Sequence, residues 1–196
     1  MKTALIVVDF QNDFADQSGS LYVSDGERIA TKLAAALEHR DLPSNADVVV
    51  ATKDWHGDHP GDHFDVWPVH CVASTWGTRF HPAIDAAAGI DQVFYKGELA
   101  AAYSGFAGTA ANHESLDAYL KSRGVTDVTV VGIATDYCVK ATALDAVRLG
   151  YNTALDLEFC AGVTPETTEA AIAEMQTNGV KIKRLNVVPQ TRLAIE

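Results

Sequence analysis

The chain has 196 residues, 47% of them apolar, and 15 basic against 26 acidic side chains give a formal net charge of -11. That length accommodates one domain with a sizeable core, and the charge repels phosphate backbones and anionic lipid, which argues against nucleic acid and membrane surfaces as partners. No run reaches the roughly 18 apolar residues of a membrane span, the first residues read as a strand rather than a signal segment, and Cys71, Cys138 and Cys160 are an odd set at unrelated spacings, so a cytoplasmic, reducing location is expected.

The first strand is predicted at Ala4–Val8, a β-branched apolar run that ends on Asp9. A carboxylate at the rim of a buried sheet is partly desolvated, can hold a proton near neutral pH and can act as a base toward a thiol. Asn12 and Asp13 nearby also permit a simple turn there. A helix over Glu27–His39 and a strand over Val48–Ala51 follow.

Lys53–Gly89 breaks this rhythm, with no convincing periodicity, all three tryptophans and five of the seven histidines. Loops of this length are functional or disordered as a rule, and the aromatics argue against disorder. Within it, KDWHGDHPGDHF (53–64) and WPVHCV (67–72) gather Asp54, His56, Asp58, His59, Asp62, His63 and His70. Imidazoles with a carboxylate suit iron, manganese or zinc, and Asp54-x-His56 at a strand end puts both side chains on one side of the backbone. The spacing matches no zinc finger and does not decide which histidines ligate; a polar loop whose histidines only titrate is the alternative.

A third strand at Val93–Tyr95 leads to Lys96, Gly97 and an aromatic stretch. A lysine near Asp9 and a cysteine would stabilise carboxylate and thiolate together, and later an oxyanion; a surface lysine beside a turn is the plainer reading. A helix over His113–Arg123 and a strand over Val128–Ile133 then reach GIATDYCVKATALDA (132–146). Thr135 and Asp136 offer N-cap chemistry, and Val139, Ala143 and Ala146 recur at helical spacing. Cys138 is therefore expected in the first turn of a helix over Asp136–Leu149, where the dipole and unpaired N–H groups favour thiolate. An inert buried cysteine is the alternative.

Strands over Thr153–Leu157 and Val180–Leu185 bring the count to six. CAGVTPETTEAA (160–171) reads as a strand-to-helix turn, with Thr164 as N-cap and Pro165 first in a helix over Pro165–Thr177. Cys71 and Cys160 are read as small buried residues. Alternating strands and helices imply an α/β fold: three layers, α/β/α, around a mainly parallel six-stranded sheet. Ligands of such sheets bind beyond the carboxyl ends of the strands, where Asp9, Asp54, Lys96 and Ala134–Cys138 all fall.

With ALIVVDFQNDF, ATKDWH, PGDHF, WPVHCV, VFYKG, YSGF and GIATDYCVKATALDA in this order, nearly the whole chain resembles the nicotinamidases of the isochorismatase-like cysteine hydrolase superfamily. The resemblance implies a single hydrolase domain, 1–196, with a metal-binding loop at 53–89. It implies Asp9 as base, Lys96 as charge stabiliser and Cys138 as nucleophile, and an oxyanion held by the amides of Ala134 and Cys138 beside a cis Ile133–Ala134 peptide. One divalent metal, iron, manganese or zinc, is implied on Asp54, His56, His63 and His70 but not on Asp58 or His59, with aromatic walls from Phe14, Trp67 and Tyr103.

The implied reaction is hydrolysis of a small aromatic amide, nicotinamide to nicotinate and ammonia, with pyrazinamide as a second substrate, in NAD salvage, by a monomer or small homo-oligomer. A cysteine amidase for another small amide, a hydrolase using metal-bound water and a non-catalytic binding module are the alternatives. Tyr137 departs from relatives that carry histidine beside the nucleophile.

Overall fold

The computed structural model describes residues 1–39, 45–57, 63–87, 89–98 and 100–183. Among them, β1 (Lys2–Val8), β2 (Val48–Asp54), β3 (Gln92–Lys96), β4 (Val125–Ile133), β5 (Asn152–Ala161) and β6 (Lys181–Lys183) form one sheet in the order β3-β2-β1-β4-β5-β6. All five pairings are parallel, so the sheet expected to be mainly parallel is wholly so. The helices are α1 (Asn12–Ala15), α2 (Gly26–His39), α3 (His63–Val66), α4 (Pro82–Ala86), α5 (Leu116–Ser122), α6 (Lys140–Arg148) and α7 (Pro165–Thr177).

Ala4–Val8 and Val128–Ile133 are buried without interruption, as central parallel strands covered on both faces must be. On α2, Ile29, Ala30, Leu33, Ala34 and Leu37 recur at helical spacing and form its buried stripe. It packs with α4, while α6 packs with α7. From β1 the chain steps outward to β2 and β3; from β4 it steps the opposite way to β5 and β6. Right-handed crossovers then place α2 and α6 on opposite faces, which makes three layers. The direction reverses between β1 and β4, and a crevice opens there beyond the carboxyl ends. Asp9 leaves β1 and Ala134–Cys138 leave β4 into that crevice.

Gly132 lets the two strands approach. It pairs with Val8 at φ +134, and a Cβ at that position would sit 2.2 Å from the Val8 carbonyl oxygen. Gly132→Ala is expected to destabilise the fold by about 2–4 kcal/mol, read as a lower urea midpoint at unchanged m-value. An unchanged midpoint would show that β1 and β4 need no such closeness.

Several local expectations need correction. β2 runs to Asp54, which thereby becomes a strand residue paired with Lys96 rather than one following the strand. β5 is longer than expected because four of its residues, Asp156–Phe159, oppose the single residue Val131 of β4. Lys53–Gly89 contains α3 and α4, each too short to leave a periodic trace. Cys138 lies in a π turn, Thr135–Val139, and not in the first turn of an α-helix. Thr135 and Asp136 do not cap it; Ala134 is the N-cap residue, without a side-chain bond. Asp136 instead accepts from Val163 N at 3.1 Å and from the Thr167 hydroxyl, binding the start of α7 to the turn. Thr164 caps α7 as expected, accepting from Thr167 N at 3.2 Å. Asp58, His59, Asp62 and the last two residues of the predicted strand Val180–Leu185 lie outside the described residues.

Candidate active site

Three strand ends deliver one buried ionic cluster. The last residue of β3, Lys96, has its ammonium 2.9 Å from Asp9 Oδ2. The same nitrogen donates to Asp54 Oδ1, to the Ala102 carbonyl at 3.1 Å and to Cys138 Sγ at 3.6 Å. Asp9, Asp54 and Cys138 bring their donor atoms within 4.8 Å of one another around this internal cation. Asp9 is fixed by the Thr52 hydroxyl, which donates to Oδ1 at 2.6 Å. Its backbone takes the left-handed value φ 52, steadied by Gln11 N donating to the Asp9 carbonyl at 2.7 Å; aspartate tolerates that region better than most residues.

The electrostatics follow from burial. Burial pushes the Asp9 carboxyl up, with the charge of Lys96 opposing, so this acid holds a proton more readily than an exposed aspartate does. Cys138 is likewise pushed well up by burial, again against Lys96. Burial acts against charge on Lys96 too, yet Asp54 and Asp9 together hold its pKa well above the usual lysine range. Burial also opposes charge on Asp54, but Lys96 and His56 outweigh it and keep that carboxyl ionised. The resting thiol is therefore protonated beside a basic carboxylate and a permanent cation, an arrangement suited to forming thiolate only as the proton passes to Asp9.

Beside this cluster, His56, His63 and His70 converge, with ring nitrogens within 4.8 Å of one another. His56 Nδ1 donates to the Gly97 carbonyl at 2.8 Å and His70 Nδ1 to the Pro68 carbonyl at 2.7 Å. Each bond fixes the tautomer and turns the lone pair of Nε2 inward. His56 Nε2 is buried with no hydrogen-bond partner, and His63 Nε2 lies 3.2 Å from His70 Nε2. Burial, then His56 and His70, depress His63 to about 4, and burial lowers His70, so both present neutral imidazoles. Asp54 Oδ2 stands 3.8 Å from His56 Nε2 and 4.0 Å from His70 Nε2. Two inward lone pairs, one of them on the unpartnered buried His56 Nε2, with the His63 imidazole and a carboxylate beside them fit a divalent cation of the iron, manganese or zinc kind. Gly97 is required here: at φ +84, a Cβ would fall 2.7 Å from the His56 ring.

A cavity of about 260 Å³ joins the two clusters, since Cys138 and Ala134 share its wall with Asp54, His63 and His70. Phe14, Trp67 and Tyr103 also line it. Trp67 Nε1 donates to the Tyr103 hydroxyl at 3.0 Å, and the Phe14 ring lies 5.5 Å from His70. Asp9, Lys96 and His56 are buried next to this wall rather than in it. The Ile133–Ala134 peptide is cis, in keeping with the resemblance.

Sequence reasoning flagged Tyr137 without a role. Its ring meets Trp67 edge-on at 5.1 Å and lies 6.0 Å from Tyr103, closing an aromatic trio on the cavity. Val163 and the 20–23 segment of the wall were not anticipated. Nor was Asp13, whose Oδ2 accepts from Cys71 N at 2.6 Å and so holds the loop behind His70. Cys71 is itself fully buried, as read from the sequence, and its thiol points to the Gly77 carbonyl.

A thiol with an acid and an ammonium beside it, at the switch point of a parallel sheet, is the arrangement of an α/β/α hydrolase. The chain belongs to the isochorismatase family, whose Isochorismatase domain matches residues 3–186. It is 47% identical to the nicotinamidase/pyrazinamidase of Mycobacterium tuberculosis over 91% of this chain and 97% of that protein. Among solved structures, the pyrazinamidase of Pyrococcus horikoshii in complex with zinc superposes with a TM-score of 0.79 at 34% identity, over 94% of this chain and 99% of that one. PnC1 from L. infantum in complex with nicotinate does so with a TM-score of 0.80 at 31% identity, over 93% and 92%.

Proposed function

We propose that this enzyme hydrolyses nicotinamide to nicotinate and ammonia, with pyrazinamide as a second substrate, through a thioester on Cys138. The observation that carries this reading is the shared cavity, which presents the thiol and the imidazole cluster to one small, aromatic-walled space. Relatives named nicotinamidases, and the nicotinate complex of one neighbour, support the substrate.

In this mechanism the aromatic rings of Phe14, Trp67 and Tyr103 hold the flat substrate ring. Asp9 takes the proton of Cys138, and the thiolate attacks the carboxamide carbon. The amides of Ala134 and Cys138 receive the oxyanion, with Lys96 adding positive charge nearby. The C–N bond breaks as Asp9 returns the proton to the departing nitrogen, and ammonia leaves. Asp9 then deprotonates a water, which attacks the thioester carbon; the C–S bond breaks, the carboxylic acid forms and Cys138 regains a proton. Asp54, His56, His63 and His70 would hold the divalent cation, which when bound supplies Lewis acidity toward a ring nitrogen and so orients the substrate.

The same proposal takes 1–196 as one hydrolase domain with its metal loop at 53–89, supported by a single sheet and a family match spanning nearly all of it. Every proposed group comes from one chain, consistent with a monomer or small homo-oligomer. No helix of the described residues is long and apolar enough to cross a membrane, and a cytoplasmic place in NAD salvage suits the substrate. The test is ammonia release from nicotinamide by protein loaded with iron, manganese or zinc, before and after chelation. Turnover that falls on chelation and returns with metal supports the reading. Release of ammonia from other small amides but not from nicotinamide favours the related cysteine amidase.

A further inference from the structure

Among the described residues, Asp54 is the one that touches both clusters. Its Oδ1 accepts from Lys96, and its Oδ2 faces the inward nitrogens of His56 and His70. Where that carboxylate points depends on where the end of β2 is held. On one side β3 holds it, pairing Lys96 with Asp54 and accepting Trp55 N at the Lys96 carbonyl at 2.8 Å. On the other side β1 stops pairing at Val8–Thr52, and the chain then bends away at Asp9. The main-chain groups of Asp54 on that side have no strand to meet.

The side chain of Gln11 meets them. Its Oε1 accepts from Asp54 N at 2.7 Å, and its Nε2 donates to the Asp54 carbonyl at 2.8 Å. The second Nε2 hydrogen goes to the Thr78 carbonyl at 3.1 Å. A carboxamide thus supplies the donor and acceptor that the missing strand residue would have offered. Gln11 is fully buried, so no water replaces these bonds when the side chain is lost.

Resting on the reading of Asp54 as a metal ligand, we infer that Gln11 is a positioning residue, which sets the Asp54 carboxylate between the cation and Lys96. None of three alternatives at this site does the same. A glutamate of the same length would turn an oxygen toward the Asp54 and Thr78 carbonyls, and methionine would leave the Asp54 N–H and carbonyl unpaired. Asparagine is one methylene too short to span both.

The test is a titration of chelator-stripped protein with Co2+ alone, following its visible ligand-field spectrum and affinity alongside thermal stability. Gln11→Glu and Gln11→Met are compared with wild type and with Asn12→Ala. The last variant removes a neighbouring partly buried bond, Asn12 Nδ2 to the Trp76 carbonyl at 2.9 Å, that does not reach Asp54. Gln11→Glu and Gln11→Met are expected to bind Co2+ about 10–100-fold more weakly with an altered spectrum. Asn12→Ala is expected to lose stability while keeping wild-type affinity and spectrum. Wild-type affinity and spectrum in both Gln11 variants would overturn the inference, as would failure of both to fold while Asn12→Ala folds, which would make the role structural only. Wild-type protein that takes up no Co2+ would instead overturn the metal reading beneath it.

Discussion

Cys138→Ala is expected to lower kcat for ammonia release from nicotinamide by about 10⁴-fold or more, because the nucleophile cannot be replaced by any neighbour in the cavity. Binding of metal and the folded state should both survive. The thiol is small, the deleted atom leaves little empty space, and the imidazole cluster is built from other segments. Titration of the variant with zinc or cobalt, run beside the activity assay, separates loss of chemistry from loss of structure. A variant within tenfold of wild type would favour a hydrolase that uses metal-bound water, and the proposed role of Cys138 would fall.

The second large effect concerns Lys96. Lys96→Met keeps an unbranched side chain, one atom shorter, but removes the cation shared by Asp9 and Asp54, leaving two carboxylates buried with no partner charge between them. Breaking a buried ion pair on one side costs about 3–5 kcal/mol, and the loss should depend on pH. Burial already raises Asp9 in the native protein, against the pull of Lys96. Without that pull its folded pKa rises further above the unfolded value. Such a group favours the fold at low pH, where it is protonated in both states, and loses that contribution as pH rises through the folded pKa. Asp54, which loses the same cation, adds a deficit already present near pH 5, so urea unfolding in chelator-containing buffer should show a deficit against wild type that is larger near pH 8 than near pH 5. An equal deficit at both values, or one below about 1 kcal/mol, would contradict a cluster held together by this ammonium.

The parts of this site that lie at strand ends were legible because an apolar run followed by a charged residue carries its own punctuation. Asp9 and Lys96 were found that way and Cys138 by its place where the β4 run gives way to a helical pattern; topology explains why Asp9 and Cys138 meet, since β1 and β4 are neighbours at the one point where the strand order reverses. The histidine-rich loop was legible as chemistry but not as geometry. Asp54, His56, His63 and His70 share a short stretch of chain, yet spacing alone did not exclude Asp58, His59 or Asp62. Convergence became visible only through bonds such as His56 Nδ1 to Gly97 and His70 Nδ1 to Pro68, which leave no local pattern.

The π turn at Thr135–Val139 was missed because its side-chain spacing over five residues does not differ enough from that of an α-helix. Asp136 was misread for a related reason. A buried aspartate ahead of a helix resembles a cap in sequence, whereas its partners lie elsewhere, Val163 just before α7 and Thr167 in its first turn. Gln11 shows the limit most plainly: its side chain completes a strand end 43 residues away, and nothing near residue 11 announces it.

The central claim is a covalent intermediate on Cys138, and the most direct measurement is intact-mass analysis of metal-loaded protein acid-quenched during turnover of nicotinamide, with the adduct located by peptide mapping. The account predicts a nicotinoyl adduct on the peptide that holds Cys138, formed and lost at rates matching ammonia release and absent from Cys138→Ala. Turnover with no adduct at any quench time, or an adduct on Cys71 or Cys160, would contradict it.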